Sequence, residues 1–200
     1  MAPSAPIHRV VLDANVLYPA ALRDLLLRCA EKELYRLQLS QDIWTEVVRN
    51  LVEAGRMTSE QAARLDAAIG AFLRRSDALV TGYESLIPTL TNDPKDRHVL
   101  AVAVHAHAHI IVTVNLKHFP ASALAPHGIV AQHPDAFLTN LHASHADILV
   151  QIVRDQAADL KNPPLSVADV LDTLAQHVPT TVSLLRTAIA ARGEPSDSLG

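Results

Sequence analysis

Short apolar runs recur along the first two thirds of the chain and predict the strands of a sheet. The first element covers residues 7–12, of which residues 10–12 form a short, nearly continuous apolar run, and residues 110–114 are β-branched. Such runs are typical of strands that are covered on both faces of a parallel sheet. Residues 78–81 and 128–131 predict two shorter strands. We therefore expect residues 7–12 and 110–114 to be the central strands.

The segments between these runs carry apolar residues at helical spacing. One stripe begins just after Pro19 and consists of Leu22, Leu25, Leu26 and Cys29. Ser40 is the predicted N-cap of a second helix, whose apolar stripe consists of Trp44, Val47, Val48 and Leu51. Residues 59–73 and 92–106 predict two more helices. Strands that alternate with helices predict an α/β fold built on a doubly wound parallel sheet.

Only helical signals remain beyond about residue 143. A pair of prolines separates one helix from the next, and Ser166 with Asp169 is typical of a capping box that opens the second of them. The sequence thus predicts an α/β domain over residues 1–140 and an all-α C-terminal extension over residues 141–200.

Composition places the chain among folded proteins that need no disulfide. Hydrophobic residues make up 49% of the 200 residues and charged residues 19%, which is too apolar for a disordered segment. The one cysteine cannot form a bridge within the chain, and we expect a cytoplasmic protein. The formal net charge of −4 provides no overall basic field, so a nucleic acid must be bound by local groups or through a metal.

Residues 98–116 contain no Asp, Glu, Lys or Arg, which raises the question of a membrane span. Their histidines and a change from Ala-rich to β-branched sequence argue against it, so we predict a helix followed by a strand and no membrane partner. The i, i+4 spacing of His105 and His109 fits a zinc site, but no Cys or carboxylate lies close to them in the sequence. Zinc is therefore disfavoured. Nucleotide cofactors are disfavoured too, because the chain has no glycine-rich phosphate loop.

Four acidic side chains stand where an α/β sheet places its ligands. Asp13 ends the first strand, Glu46 lies on the polar face of a predicted helix, and Asp93 and Asp96 open the helix before the central strand. Converging carboxylates repel one another unless a cation lies between them, and oxygen ligands select Mg²⁺ or Mn²⁺. Each residue also has a purely structural interpretation. Asp13 and Asp93 suit a turn or an N-cap, and Glu46 suits a solvated helix face.

Three parts of the sequence together resemble the PIN-domain nucleases. Residues 10–17, VVLDANVL, resemble their opening strand and first metal ligand, and residues 40–47 resemble their second acidic position. Residues 93–101, DPKDRHVLA, and 111–120, IVTVNLKHFP, resemble the PIN subgroup allied to VapC-type toxins. The resemblance covers about residues 7–140, and the helical tail is similar to an extension that some of these toxins carry.

The resemblance implies a metal-dependent endoribonuclease and assigns its site. Asp13 and Asp96 correspond to the principal ligands of Mg²⁺, or of Mn²⁺ in its place, and Glu46 to the intervening acid. Asp93 is an additional acid of this subgroup. Asn115 stands where many PIN nucleases have a further aspartate, and its amide adds no charge, which weakens the case for a second metal. These five residues are the candidate catalytic groups, and the metal ligands among them are Asp13, Glu46 and Asp96.

The resemblance also implies an RNA substrate and a cognate antitoxin that binds DNA. Because an acidic pocket is a receptor for a basic side chain, we expect the antitoxin to insert Arg or Lys there and displace the metal. A homodimer is a further expectation. Arg97, Lys117 and the pair Arg74 and Arg75 are candidates for phosphate contacts, although a solvated surface explains each of them equally well.

Two other classes of function stay open. The chain could be a catalytically silent PIN-like binding module, and Asn115 is the residue that keeps this alternative alive. It could also be a metal-dependent phosphohydrolase that acts on small phosphoesters. Metal binding without turnover would distinguish the first, and hydrolysis of a chromogenic phosphodiester without any effect on RNA would distinguish the second.

Overall fold

The computed structural model describes residues 8–191 and contains a four-stranded parallel sheet. Its strands are β1 (Arg9–Leu12), β2 (Arg36–Gln38), β3 (Ile110–Val112) and β4 (Val130–Gln132). Their order across the sheet is β2-β1-β3-β4, with Val11 of β1 opposite Gln38 on one side and Ile111 on the other. The central strands are therefore β1 and β3, as the sequence predicts.

Nine α-helices accompany the sheet within residues 8–191. They are α1 (Ala14–Leu17), α2 (Ala20–Glu31), α3 (Gln41–Glu53), α4 (Ser59–Arg75), α5 (Arg97–His105), α6 (Ala121–Leu124), α7 (Pro134–Asp159), α8 (Val167–Ala175) and α9 (Pro179–Ala190). Turns of 3₁₀ helix occupy Glu84–Thr89, Pro94–Asp96, Leu116–His118 and Ala125–His127. Strands alternate with helices up to β4 and only helices follow it, so the predicted α/β class with a helical C-terminal region is confirmed.

The core of the sheet consists of the apolar runs that the sequence pattern singles out. Residues 10–12 of β1 and 111–112 of β3 have no exposed surface, and residues 99–103 of α5 are equally buried. Burial of apolar surface is the main driving force of folding. These elements therefore fix the positions of the loops that leave the carboxyl ends of β1 and β3.

The predicted N-caps of α3 and α8 are confirmed. Ser40 Oγ accepts a hydrogen bond from the Ile43 N–H (3.3 Å), and Ser166 forms a capping box with Asp169. Such caps satisfy backbone donors that the helix itself leaves unpaired. The first turn of α3 is thereby anchored, and so is the helix face that carries Glu46.

The described residues form two compact units. The first comprises residues 8–18 and 35–132 and contains the whole sheet, and the second comprises residues 19–34 and 133–191. The helix α2 therefore belongs to the same unit as the C-terminal helices, although the chain passes through it between β1 and β2. The division into residues 1–140 and 141–200, made from the sequence, stays a prediction.

The second unit is built from helices alone among its described residues. Within it, α7 packs on α9, α2 and α8. Gln156 Nε2 donates to a backbone carbonyl of α2 (3.0 Å), and the Asp135 carboxylate accepts from the backbone N–H groups of Thr180 (3.0 Å) and Thr181 (2.8 Å). The side chain of Asp135 in α7 thus caps the start of α9.

The sequence pattern did not predict β2. This strand has three residues, of which Leu37 alone is buried, so it carries no recognisable period. The expected strand at residues 78–81 was wrong in extent, because only a single parallel bridge joins Leu79 to Leu39. Both segments lie at the β2 side of the sheet, where few residues pair.

Both central strands are shorter than expected. The strand expected at residues 110–114 ends at Val112, because beyond Thr113 the backbone leaves the sheet and the Val114 N–H donates to Asn15 Oδ1 instead of to a neighbouring strand. The strand expected at residues 7–12 begins at Arg9, and residue 7 lies outside the described part of the chain. The uncharged segment at residues 98–116 divides into α5 and β3, as predicted. In the described ranges, the helices all lack the combined length and apolarity that a bilayer crossing requires.

Candidate active site

Asp13 lies where the carboxyl ends of the two central strands meet. It follows β1 directly, and its backbone N–H donates to the carbonyl of Val112, the last residue of β3 (3.0 Å). Its side chain does not cap α1, and the residue is only 3% exposed. Asp13 therefore occupies the N-cap position of α1, as the structural alternative allows, but its side chain makes no capping hydrogen bond. The sheet instead buries a carboxylate at the edge where open α/β sheets bind ligands.

Two side chains, those of Thr113 and Asn15, form one polar network with Asp13. Thr113 Oγ1 donates to Asp13 Oδ2 (2.7 Å), and Asn15 Nδ2 donates to the same oxygen (2.5 Å) and to Thr113 Oγ1 (3.0 Å). Asn15 Oδ1 in turn accepts from the Val114 N–H (3.1 Å). The network links the start of α1 to the loop after β3 and fixes the orientation of the carboxylate.

The surroundings of Asp13 disfavour its negatively charged form and so raise its pKa. Burial raises the pKa of Asp13 from 3.8 to about 6, against the opposing effect of the hydrogen bond from Thr113. The negative charges of Asp96 and Glu46 contribute to this rise, while the hydrogen bond from the Ala14 N–H opposes it. Asp96 and Glu46 therefore each lie close enough to Asp13 to repel its negative charge through space. A cation between them would relieve that repulsion.

Asp96 lies at the end of a 3₁₀ turn, where it precedes α5. Its Oδ2 is 2.6 Å from Nδ1 of His118, and the side chain of Asp96 is 14% exposed. Asp93 begins the same turn, accepts from the Lys95 N–H (3.0 Å) and donates its own N–H to the His118 carbonyl (3.2 Å). Ligand atoms of Asp93, Asp96 and His118 lie within 4.8 Å of one another. Asp93 is therefore both the N-cap of this turn and a member of a cluster of side chains that are common metal ligands.

Glu46 is paired with a histidine as well. Its Oε2 lies 3.5 Å from Nε2 of His98, so α3 and α5 each contribute one side chain. The Glu46 side chain is 33% exposed and that of His98 is 18% exposed. Glu46 is therefore not simply a solvated residue on a polar helix face.

Asn115 and the basic residues occupy less constrained positions. The backbone N–H of Asn115 donates to Thr113 Oγ1 (2.9 Å), and its partly exposed side chain stands at the start of the Leu116–His118 turn. Arg97, a candidate phosphate contact, directs its Nε towards the backbone carbonyl of Asn92 (3.4 Å), and Lys117 is exposed. Asn115 thus lies on the same loop as the Asp13 network.

Sequence reasoning named the carboxylates and missed their partners. The sequence positions of Asn15 and Thr113, which bind Asp13, could have indicated their role. Thr113 is a polar residue directly after the buried strand β3, and Asn15 follows Asp13, the acid at the end of β1. His118 and His98 show no such signal, because His118 is 22 positions from Asp96 and each histidine is one among eleven. The contact of His118 with Asp96 arises only when the loop after β3 meets the turn before α5, and that of His98 with Glu46 only when α5 meets α3.

The PIN domain family model matches residues 9–117, more than half of the chain. The chain belongs to the PIN-domain family. The match includes Asp13, Glu46, Asp93, Asp96 and Asn115, so all the candidate site residues of this PIN-domain protein lie inside it. A second family model, described as the VapC50 C-terminal domain, matches residues 134–187. Both matches confirm the resemblance drawn from the sequence motifs.

This PIN-domain protein is 41% identical over 102 residues to a Mycobacterium tuberculosis protein named "Putative ribonuclease VapC50". The alignment covers 51% of this chain and 60% of the relative, so less than two thirds of the relative's length is matched. No solved structure matches the chain.

The donor set of the PIN-domain site fits a divalent cation. Asp13, Asp96 and Glu46 carry carboxylate oxygens, the ligand type that Mg²⁺ and Mn²⁺ prefer. Among the described residues, the group whose ligand atoms lie within 4.8 Å of one another is Asp93, Asp96 and His118, so Asp96 belongs to both sets and Asp13 and Glu46 lie outside the tighter one. Burial is the largest cause of the raised pKa of Asp13, and the negative charges of Asp96 and Glu46 act in the same direction, so a nearby cation would favour the charged carboxylate. His118, bonded to Asp96, supplies the kind of outer support that metal-binding carboxylates usually have.

Proposed function

We propose that this PIN-domain protein is an endoribonuclease that uses Mg²⁺, or Mn²⁺ in its place, to cleave RNA phosphodiester bonds. The observation that carries the proposal is the buried carboxylate of Asp13 at the end of β1, near enough to Asp96 and Glu46 for both of their charges to raise its pKa. The name of the similar M. tuberculosis protein, a ribonuclease, supports the same class of reaction.

In this proposal Asp13, Asp96 and Glu46 hold the metal. A bound divalent cation polarises the scissile phosphate and lowers the pKa of a bound water. Glu46 or Asp93 orients the attacking water, since each is a carboxylate beside the ligand cluster. Asn115 contributes an uncharged amide, whereas an aspartate at this position would add to the negative charge of the site.

The remaining work of the protein is to hold its own carboxylates in place. Thr113 and Asn15 both donate to Oδ2 of Asp13 and keep that carboxylate in a single orientation. His118 does the same for Asp96 through Nδ1. Preorganised ligands lose little conformational freedom when the site is loaded, so these partners favour metal binding.

RNA cleavage by the full chain tests the proposal, with Mg²⁺, with Mn²⁺ and with EDTA. Mutation of a residue that only supports a metal ligand typically lowers activity about 10- to 100-fold. Asp13→Asn, Asp96→Asn and Glu46→Gln should each lower the rate of RNA cleavage by more than this. Glu84→Gln removes an exposed carboxylate of the same unit and is the matched control, with full activity expected. A folded Asp13→Asn protein that retains full activity would contradict the mechanism.

We also propose that the protein is the toxin of a VapBC-type pair, held inactive by an antitoxin that inserts a basic side chain among Asp13, Glu46 and Asp96. The match of the helical region to a VapC50 C-terminal domain supports this assignment. Expression of the chain alone should arrest bacterial growth, and Asp13→Asn should relieve the arrest. Equal toxicity of the two proteins would show that the arrest has another cause.

The chemistry in this proposal belongs to residues 1–140, and the helical extension over residues 141–200 helps to bind the antitoxin. The separate family match over residues 134–187 supports a distinct role for these helices. A second function, a silent binding module, is favoured by one observation: Asn115 adds no charge to the site. Metal binding by the wild type, with no cleavage of any RNA under either metal, would decide for that alternative.

A further inference from the structure

A pocket of about 520 Å³ opens beside the carboxylate cluster in the first unit. It is lined by Asn15, Tyr18, Asn50, Glu53 and Ala54. Its volume lies within the range of about 300–1,000 Å³ that is usual for small-molecule sites. The pocket is therefore large enough to receive a group the size of a nucleobase.

The pocket is continuous with the proposed catalytic site through two elements. Asn15 lines the pocket and also donates to Asp13 Oδ2 (2.5 Å). On α3, which packs against α1, Glu46, Asn50 and Glu53 follow one another at positions i, i+4 and i+7 and so share one helix face. An RNA whose phosphate lies at the carboxylates would therefore place a neighbouring nucleotide at this pocket.

The chemistry of the lining favours a base over a phosphate. The lining residues include one with an aromatic ring, two with amides and one with a carboxylate, and a carboxylate repels phosphate. An aromatic face stacks on any nucleobase, and single-stranded RNA exposes its bases for this contact. Because stacking does not distinguish the bases, any selectivity for one base must come from the polar groups of the pocket.

The carboxylate of Glu53 selects among the four bases. A carboxylate only accepts hydrogen bonds, so it pairs best with an edge that presents two adjacent donors. Guanine has such an edge in N1–H and the N2 amino group. The Watson–Crick edges of adenine, cytosine and uracil each place an acceptor next to a donor, which the carboxylate repels. The amide of Asn50 can donate to guanine O6 at the same edge.

We propose that this pocket is a guanine subsite, in which Tyr18 stacks on the base, Glu53 accepts from N1–H and N2, and Asn50 donates to O6. The inference rests on the proposed ribonuclease function and names its substrate class as single-stranded RNA with a guanosine next to the cleaved bond. Tyr18, Asn50 and Glu53 are the residues that determine this specificity.

A binding experiment tests the pocket without any cleavage. The full chain in EDTA is titrated calorimetrically with GMP, AMP, CMP, UMP and IMP. GMP should bind at least about tenfold more tightly than AMP, CMP or UMP, and IMP should fall between, since it keeps N1–H and lacks the N2 amino group. Glu53→Gln should remove most of the preference for GMP, while the control Glu84→Gln should keep it. Equal binding of the nucleotides, or an unchanged preference in Glu53→Gln, would overturn the inference.

A cleavage experiment then separates the two proposals. Single-stranded RNA oligonucleotides that differ at one position, guanosine or adenosine, are incubated with Mg²⁺ or Mn²⁺. The wild type should cut next to guanosine, and Glu53→Gln should cut both substrates at similar rates with the secondary structure unchanged. Cleavage without any preference for guanosine would contradict the subsite alone. Absence of cleavage would contradict the ribonuclease function, and the nucleotide titration would still decide whether the pocket selects guanine.

Discussion

Replacing Asp13 by asparagine should stabilise the metal-free protein at neutral pH while it removes the proposed activity. The amide keeps an oxygen that can accept the hydrogen bonds of Thr113 and Asn15. It removes a buried negative charge that faces the carboxylates of Asp96 and Glu46. The perturbation therefore preserves the local contacts and changes mainly the electrostatics.

The size of the effect follows from the pKa of Asp13. Burial, with the neighbouring carboxylates, raises that pKa from 3.8 to about 6, and a change of this size corresponds to about 3 kcal/mol. Because the folded state has the higher pKa, the cost is absent below 3.8, grows as the pH rises towards about 6, and is complete above that value. About half of it, roughly 1.5 kcal/mol, develops between about pH 5 and about pH 7.5.

Urea unfolding in EDTA, followed by tryptophan fluorescence, measures this cost. Trp44 is the only tryptophan, is 1% exposed and donates from Nε1 to Asp66 Oδ1 (2.8 Å), so its fluorescence reports on the first unit. Asp13→Asn should exceed the wild type in free energy of unfolding by about 3 kcal/mol at about pH 7.5 and by about half as much at about pH 5. Glu84→Gln should stay within about 0.5 kcal/mol of the wild type at both values.

Two results would refute this reasoning. One is a difference between Asp13→Asn and the wild type that is the same at both pH values. The other is an Asp13→Asn protein that is less stable than the wild type at about pH 7.5. Addition of Mg²⁺ provides an independent check, because a ligand of the folded state should stabilise the wild type and have little effect on Asp13→Asn.

Three further predictions address other contacts. His118→Asn should bind Mn²⁺ nearly as well as the wild type, whereas His118→Gln should bind it about 10- to 100-fold more weakly. The reason is that only the shorter amide can replace Nδ1 of His118 beside Asp96. A calorimetric titration that finds the two variants equal would contradict this role. Thr113→Val removes a hydrogen bond that lowers the pKa of Asp13, so the acidic limb of the pH–activity profile should move to higher pH, and an unmoved limb would count against it. Asp135→Ala removes the cap of α9 and should cost about 0.5–2 kcal/mol, seen as a lower melting temperature by circular dichroism; an unchanged melting temperature would show that the cap is dispensable.

Local patterns in the sequence determined the elements that bury the most surface. The runs at β1 and β3 are recognisable because residues 10–12 and 110–112 are all apolar, which follows from cover on both faces of the sheet. The starts of α3 and α8 are recognisable because Ser40 and Ser166 satisfy backbone donors within three residues. The motifs around Asp13 and Asp96 also indicated the family. Each of these signals is contained in a window of a few residues.

Contacts between distant segments needed the tertiary structure. The sequence indicates that Asp13 and Asp96 are acids, but the raised pKa of Asp13 depends on how completely the folded chain excludes water from it. The bond from His118 to Asp96 and the grouping of α2 with residues 133–191 depend on where loops and helices come to lie. Desolvation and long-range pairing are properties of a residue's surroundings, and those surroundings are assembled from segments that no local spacing connects.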